Sequence, residues 1–205
     1  MRKWVLGVLL VVWALAVVSS SGLLLRYEET PGAVSSAHTW PVNSPVALHS
    51  QKLTVVVVVH PRCPCTRATI HELHDLAERY PDVADFHFAL YCPASAADEW
   101  TQSPNALLAA QVSKAGMYKD IDGKFCRLLG ASTSGTVLVF NPAGVNLFTG
   151  GITPSRGHEG DNLGLDALRQ LLCGEPLGVR STPVFGCSIV GSQEQVCSES
   201  ECSTK

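Results

Sequence analysis

The sequence predicts an α/β protein with a three-layer fold around a mixed four-stranded sheet, preceded by a helix that spans a membrane. Residues 53–59 form an almost continuous β-branched run, which is typical of a strand buried on both faces of a sheet. Helix-like and strand-like patterns alternate after this run, as in proteins whose helices cover a sheet. Residues 4–25 carry no charge, and an apolar helix of that length can cross a lipid bilayer.

The N-terminal segment has two interpretations, and both place the rest of the chain outside the cytoplasm. Arg2 and Lys3 precede the apolar run, which favours an uncleaved anchor whose basic end stays on the cytoplasmic side. A cleaved signal peptide is the alternative, because Ala-Leu-Ala at 14–16 matches a small-x-small cleavage site. We favour the anchor, since three leucines at 23–25 extend the apolar stretch. The domain is therefore predicted to be membrane-anchored on the periplasmic or extracellular side.

Composition narrows the function classes. The chain has 15 Lys and Arg against 18 Asp and Glu, a formal net charge of −3. It therefore lacks the excess of basic residues that is typical of nucleic-acid-binding proteins. Its eight cysteines are too many for a cytosolic protein of this size unless they serve redox or metal chemistry. An exported, disulfide-using protein agrees with both observations.

The chain divides into four segments around one domain. Residues 1–25 form the anchor or signal segment. Residues 26–50 hold prolines, glycine and serines without periodicity, which indicates a linker. The domain is predicted at 51–173, and 174–205 form a Cys-rich tail.

The domain is predicted to follow the order β-α-β-α-β-β-α. The helices have apolar residues at helical spacing, and the later strand pair is joined by Asn-Pro-Ala-Gly at 141–144, a hairpin signal. Strands are predicted at 53–59, 83–91, 136–140 and 145–149, and helices at 66–80, 104–118 and 163–173, with a helical turn at 125–129. The first two strands are expected to be parallel, with a right-handed crossover, and the hairpin extends the sheet antiparallel.

Three stretches carry a resemblance to a known family. His-Pro-Arg-Cys-Pro-Cys-Thr-Arg-Ala at 60–68 resembles the active-site loop of membrane-anchored, extracytoplasmic thioredoxins, and most of all the RedB-like branch. Residues 130–135 and 150–162 are also similar to that branch. The resemblance covers about residues 50–173 and implies a thioredoxin-like fold with redox chemistry where the first strand meets its helix.

The chain departs from this family at two places. The usual motif is Cys-x-x-Cys, but Thr66 occupies the position of its second cysteine and Cys65 lies one residue early. Thioredoxins also carry a cis-proline before the third strand, where this chain has Thr-Ser-Gly at 133–135. Both departures concern substrate handling, so they bear on activity more than on fold.

The predicted topology brings distant residues to one edge of the sheet. Ligands of open α/β sheets gather beside the carboxyl ends of parallel strands, where Cys63, Cys65 and Cys92 are expected. The antiparallel hairpin starts and ends at the same edge. The residues predicted to contact substrate there are Pro64, Ser134, Gly135 and Gly151.

Cys63 is the predicted nucleophile. A thiol at a helix N-terminus faces unpaired N–H groups and the positive end of the helix dipole, which favour the thiolate. Cys65 could resolve a mixed disulfide, although the small Cys-x-Cys ring is strained. Cys92 is the alternative resolving partner, and it could equally be a buried hydrophobe.

His158 lies in a glycine-rich loop and is a candidate for proton transfer, with a capping role for the last helix as the structural alternative. Cys63, Cys65 and His158 also offer soft ligands for Cu(I), so copper binding is a second hypothesis. The leading hypothesis has no cofactor.

Two further groups of cysteines have structural interpretations. Cys126 lies on an apolar helical face and is predicted to be core. In the tail, Cys173 with Cys187 and Cys197 with Cys202 could form disulfides, although sequence does not fix connectivity.

The leading hypothesis is therefore a thiol–disulfide oxidoreductase that acts on exported protein thiols or disulfides through the Cys-Pro-Cys site. A copper-binding or copper-delivery protein is the second hypothesis. A non-catalytic binding module on the same fold is the third, because the cis-proline is missing.

Overall fold

The computed structural model describes residues 2–95, 97–112 and 117–189, and it divides into two units, Met1–Thr30 and Pro31–Lys205. The first unit is one helix, α1 (Arg2–Glu29). Its 28 residues rise about 42 Å at 1.5 Å per residue, which exceeds a hydrocarbon core of about 30 Å. By length and composition, α1 is able to cross a membrane, and it extends one turn beyond the predicted end at residue 25.

The second unit is built on a five-stranded sheet with the order β3-β2-β1-β4-β5. Strands β1, β2 and β3 are parallel, and β4 and β5 run antiparallel to their neighbours. The strands are β1 (Leu53–Val59), β2 (Ala84–Cys92), β3 (Met117–Ile121), β4 (Val137–Phe140) and β5 (Asn146–Gly150).

The valine-rich strand β1 occupies the centre of the sheet. Val57 pairs with Phe88 of β2 on one side and with Val137 of β4 on the other. Every residue from 54 to 59 is fully buried, because layers of structure cover both faces of the strand. This confirms the sequence interpretation of a strand buried on two sides.

Among the described residues, five helices accompany the sheet. They are α2 (Pro64–Arg79), α3 (Ala97–Thr101), α4 (Pro104–Val112), α5 (Lys124–Leu128) and α6 (Leu163–Cys173). Alternate valines of β1 point to opposite sides: Val57 packs in one core with α2, α4 and α6, and Val58 packs in a second core with α5. The protein therefore has three layers.

The second unit has a thioredoxin-like fold. Its centre is a strand, a helix and a parallel strand, followed by an antiparallel hairpin and a final helix on the side of the sheet that also carries α2. The predicted order of elements is confirmed, but the sheet has five strands and not four.

The additional strand replaces part of a predicted helix. The helix predicted at 104–118 ends at Val112, and β3 pairs with β2 in parallel from Met117. Residues 113–116 lie outside the described part of the chain. The strand is only five residues long and includes Lys119 and Asp120, so its sequence shows no clear strand period. The wholly buried Asp120 of β3 accepts hydrogen bonds from the Phe125 and Cys126 amides at 2.7 and 2.9 Å, and so caps α5.

The segment predicted as a linker at 26–50 is instead shared between the two units. Residues 26–29 belong to α1, and residues 31–50 lie on the second unit. The Trp40 amide donates to Gly144 O at 2.7 Å, and the Trp40 ring packs edge-on against Phe140 with centroids 5.0 Å apart. The segment covers apolar side chains of the second core that would otherwise face water.

The first part of the predicted tail is also integral to the domain. Residues 181–189 form isolated bridges with the main body, at Ser181 with Thr149 and at Ser188 with Thr133. Cys197 and Cys202 lie outside the described residues. The suggested pair of Cys173 with Cys187 is not formed: the Cys173 sulfur lies 3.2 Å from Tyr80 Oη, while Cys187 is held beside Cys63.

Candidate functional site

Cys63 lies at the junction between the central strand β1 and the helix that follows it, α2. After β1 the chain turns through residues 60–62, and the Cys63 amide donates to His60 O at 3.0 Å. Cys63 is the N-cap of α2, and Pro64 follows at the first helical position, where a missing N–H costs nothing. The sequence prediction of a thiol at a helix N-terminus is confirmed in its geometry.

The Cys63 thiol is buried, yet polar groups surround it. Asn105 of α4 donates its amide to Cys63 O at 2.7 Å and fixes the backbone there. Burial raises the pKa of the Cys63 thiol, but hydrogen bonds from Thr66 and from Cys187 outweigh it, so the pKa lies below its ordinary value. The site thus favours a thiolate at Cys63.

Cys65 is the second residue of α2 and has the opposite tendency. Burial raises the pKa of its thiol, and the nearby Cys63 sulfur raises it further. Arg156, which hydrogen-bonds Cys65, partly offsets this effect. The two thiols of the Cys-Pro-Cys motif therefore differ in character, with the proton held on Cys65.

Cys187 is the site residue that sequence reasoning missed. Its side chain is half-buried and hydrogen-bonds Cys63. Burial and the Cys63 contact raise the pKa of Cys187 to about 12. Cys63, Cys65 and Cys187 therefore form one cluster, which we call the three-thiol cluster. No sequence signal indicates this contact, since it spans more than a hundred residues and depends on the course of the tail.

Arg156 is a second residue whose contact with the cysteines was not predicted. Its guanidinium donates to Gly186 O at 2.6 Å and lowers the pKa of both Cys65 and Cys187 by its charge. The loop after β5 was expected to reach this edge of the sheet, and Arg156 does so. A fixed positive charge beside Cys65 and Cys187 stabilises a thiolate formed on either of them.

His158 lies two residues further in the same loop, on the surface. Its Nδ1 lies 2.9 Å from Ser155 Oγ and 2.9 Å from Arg156 O, so the ring braces a turn. It does not cap α6 either, because Asn162 accepts from the Gly164 and Leu165 amides. A catalytic role for His158 stays a prediction, without a contact to the three-thiol cluster among the described residues.

Cys92, the alternative resolving cysteine, ends β2 and is fully buried in the core beneath the sheet edge. Burial raises the pKa of its thiol, and the charged groups that act on it are Lys119 and Asp120. Within the described residues its environment matches that of a buried hydrophobe. Cys126 is likewise core, as predicted.

Thr66 and Ser134 replace the second cysteine and the cis-proline of the thioredoxin pattern. Their hydroxyls hydrogen-bond each other, and Ser134 Oγ also accepts from the His60 amide at 2.8 Å. Gly135 has φ +86°, which favours glycine, and its amide donates to Val58 O at 2.8 Å. The described residues contain no cis peptide bond.

Two of the predicted substrate-contacting residues are covered by the chain itself. The Ser134 amide donates to Cys187 O at 2.9 Å, and the Gly151 amide donates to Pro183 O at 3.2 Å. A Cβ added at Gly151 would lie 2.6 Å from the same Pro183 oxygen. The backbone groups at this edge therefore bind residues 183–187.

The other side of Cys63 is open. A groove of about 420 Å³ runs beside Cys63 and Pro64. Arg62 pairs with Glu99 at its rim, and the Arg62 guanidinium lies 4.8 Å from the centroid of the Trp100 ring. A reactant in this groove would lie beside Cys63, whose side chain has no solvent-exposed surface.

The copper hypothesis predicted that Cys63, Cys65 and His158 converge. Among residues 2–95, 97–112 and 117–189, no three His, Cys, Asp or Glu side chains are arranged to hold a metal ion. Copper binding therefore stays a prediction from residue type.

Because the pKa of the Cys63 thiol is lowered, this thiol should lose its proton at a lower pH than an ordinary cysteine does. Thiolate absorbs at 240 nm, so absorbance of the reduced full-length chain is expected to rise at a lower pH than for an ordinary cysteine, and Cys63→Ser removes that step. Thr66→Val deletes one hydrogen bond to the thiolate and is expected to shift the step to higher pH. A titration unchanged by Cys63→Ser would contradict this assignment.

The fold and the site together define a class, a thioredoxin-like protein with clustered cysteines at the first strand–helix junction. No protein-family model matches the chain, and no curated protein matches it. The chain is similar to a solved structure of an uncharacterised conserved protein from Geobacillus kaustophilus, at 20% identity and a TM-score of 0.57, over 80% of this chain and 93% of that one.

A hypothetical protein from Sinorhizobium meliloti 1021 is similar at 16% identity and a TM-score of 0.61, over 78% of this chain and all of that one. A thioredoxin-like protein from Aeropyrum pernix matches at 14% identity and a TM-score of 0.43, over 78% of this chain and 98% of that one. At such identities, the two structures with the higher TM-scores bear on fold alone. The RedB-like resemblance stays a prediction.

Proposed function

We propose that this chain is a membrane-anchored thiol–disulfide oxidoreductase that acts outside the cytoplasm on exported protein thiols or disulfides. One observation carries the proposal: Cys63 occupies the N-cap position of α2, and hydrogen bonds from Thr66 and Cys187 lower the pKa of its thiol. A thiolate is the attacking species in disulfide exchange, so this position is suited to the first step.

In the first step, the Cys63 thiolate attacks one sulfur of a substrate disulfide. A mixed disulfide forms on Cys63, and the other substrate sulfur leaves as a thiolate that takes up a proton. In the second step, a second thiol of this chain loses its proton and attacks the Cys63 sulfur, which releases the remaining substrate thiol. The reverse sequence oxidises a substrate dithiol, and neither direction needs a cofactor.

The groove beside Cys63 supports a polypeptide substrate. It is open to solvent, and its lining includes the charged residues Arg62, Arg67 and Glu99, which can contact the backbone and side chains of a polypeptide. Asn105 holds the backbone carbonyl of Cys63 and so fixes this residue beside the groove. An extended segment carrying a disulfide fits this arrangement better than a small enclosed ligand.

The proposed location follows from α1. Its length suits a bilayer, and Arg2 and Lys3 at its start favour a cytoplasmic N-terminus. The domain then lies in an oxidising compartment, where disulfide exchange is useful.

An insulin-reduction assay tests the proposal. The full-length chain in detergent micelles is expected to accelerate precipitation of the insulin B chain over dithiothreitol alone. Cys173→Ser is the matched control, because this exposed thiol lies outside the three-thiol cluster, and it should match the unmodified chain. No acceleration would contradict the proposal and favour a non-catalytic binding module. Tight stoichiometric Cu(I) binding without exchange would favour the copper hypothesis.

A further inference from the structure

The chain brings Cys187 to Cys63 through a fastened segment, residues 181–189. The Ser134 amide donates to Cys187 O at 2.9 Å, and the Ile189 amide donates to Ser132 O at 2.7 Å, so both sides of Cys187 are bonded to the loop before β4. Arg156 holds Gly186 O at 2.6 Å. Three independent contacts thus fix the backbone around this cysteine.

Glycine is required for this approach. A Cβ added at Gly186 would overlap the Ser134 carbonyl oxygen, and a Cβ at Gly151 would lie 2.6 Å from Pro183 O. In addition, the Thr182 hydroxyl donates a hydrogen bond to Gly151 O at 2.8 Å. The backbone of residues 181–189 therefore packs directly against the backbone of the rest of the domain. This packing places Cys187 next to Cys63.

The contact between the two thiols is direct. The Cys187 side chain hydrogen-bonds the Cys63 sulfur, and the Cys187 backbone contributes a further hydrogen bond to it. Arg156 adds positive charge beside Cys187. A disulfide between these sulfurs would close a long loop, which imposes no small-ring strain.

Cys65 is less suited to the same task. Its side chain also hydrogen-bonds Cys63, but a Cys63–Cys65 disulfide would close a ring with one residue between the two cysteines, and so small a ring is strained. Cys92 is fully buried in the core, with Lys119 and Asp120 as the charged groups around it. Neither Cys65 nor Cys92 lies on a separate segment of the chain that packs against Cys63.

We propose that Cys187 is the resolving cysteine, so that the oxidised protein carries a Cys63–Cys187 disulfide. This inference rests on the proposed function. After Cys63 has formed a mixed disulfide with a substrate protein, the Cys187 thiol passes its proton to the departing substrate sulfur. Its own sulfur forms the bond to Cys63 as the Cys63–substrate bond breaks. One substrate disulfide is reduced to two thiols, and two protein thiols are oxidised to one disulfide.

Peptide mapping tests this pairing. The reduced full-length chain in detergent is treated with oxidised glutathione as the disulfide probe, blocked with N-ethylmaleimide and digested with trypsin and Glu-C. The digest separates residues 63–67 from 181–194, which contain Cys187 as their one cysteine. The expected product is a disulfide-linked pair of these two peptides. It should persist in Cys65→Ser, which leaves Cys63 as the one thiol of its peptide, and disappear in Cys187→Ser.

Turnover supplies a second readout. Cys187→Ser is expected to lower insulin reduction by roughly tenfold or more and to accumulate a glutathione adduct on Cys63. Cys173→Ser should behave as the unmodified chain. A Cys63–Cys65 disulfide with a free Cys187, or unchanged turnover in Cys187→Ser, would overturn the inference while leaving the proposed function intact. The absence of any glutathione adduct or disulfide on Cys63 in every variant would instead overturn the proposed function.

Discussion

Cys63→Ser is expected to reduce insulin reduction by the full-length chain to the rate of dithiothreitol alone, a loss of roughly 100-fold or more. The reason is specific to this thiol. Cys63 is the cysteine whose pKa the structure lowers, while burial raises the pKa values of Cys65 and Cys92. Attack on a disulfide requires a thiolate, and a serine hydroxyl cannot replace it at neutral pH.

The loss of activity in Cys63→Ser must be distinguished from a loss of folding. Oxygen for sulfur is a small change, and the hydroxyl can keep the hydrogen bond to Thr66. Circular dichroism and the melting temperature of Cys63→Ser are therefore expected to match those of the unmodified chain. Cys126→Ser is a useful contrast, since it alters a fully buried thiol beside Asp120 and should affect stability more than exchange. Full activity in Cys63→Ser would contradict the assignment of the nucleophile.

Gly186→Ala is expected to weaken the fold and to uncouple Cys187 from Cys63. The new Cβ would overlap the Ser134 carbonyl oxygen, which belongs to backbone and cannot swing away as a side chain could. Overpacking of this kind costs about 1–3 kcal/mol. In a chain of this size, that cost lowers the melting temperature by roughly 2–10 °C.

The functional result of Gly186→Ala should follow from the displaced segment. Once the contact of Ser134 with residue 187 is disturbed, the Cys63–Cys187 disulfide should form poorly, while Cys63 still accepts glutathione. Gly178→Ala is the matched control, because the nearest atom to its added Cβ is Gln170 Oε1 at 3.8 Å. It should leave both the melting temperature and disulfide formation unchanged. Equal behaviour of the two variants would contradict the close docking of residues 181–189.

Local patterns predicted most of the fold. The valine run of β1, the helix after it and the final helix α6 all have the predicted character, since each has a strong period or composition of its own. Strand β3 was missed because its five residues include Lys119 and Asp120 and show no distinctive period. The packing of residues 31–50 on the sheet was missed because loops held by scattered backbone hydrogen bonds leave no pattern in sequence.

The candidate site was predicted only in part, for a related reason. The position of Cys63 follows from a strand and a helix that adjoin in sequence, so local reasoning found it. Cys187 and Arg156 reach the cluster through tertiary contacts of residues 156–189, and these depend on glycines at close approaches. Cysteine counting instead suggested a structural pair with Cys173, because composition records how many thiols exist and not which of them meet.

The redox state of Cys63 is the most direct test of the account. The full-length chain can be equilibrated in detergent with buffers of varied reduced and oxidised glutathione, quenched with acid, and mapped by mass spectrometry. We expect Cys63 to pass reversibly from thiol to disulfide across this series, with the protein folded throughout. If Cys63 stays a free thiol over the whole series while other cysteines oxidise, Cys63 is not the redox-active residue.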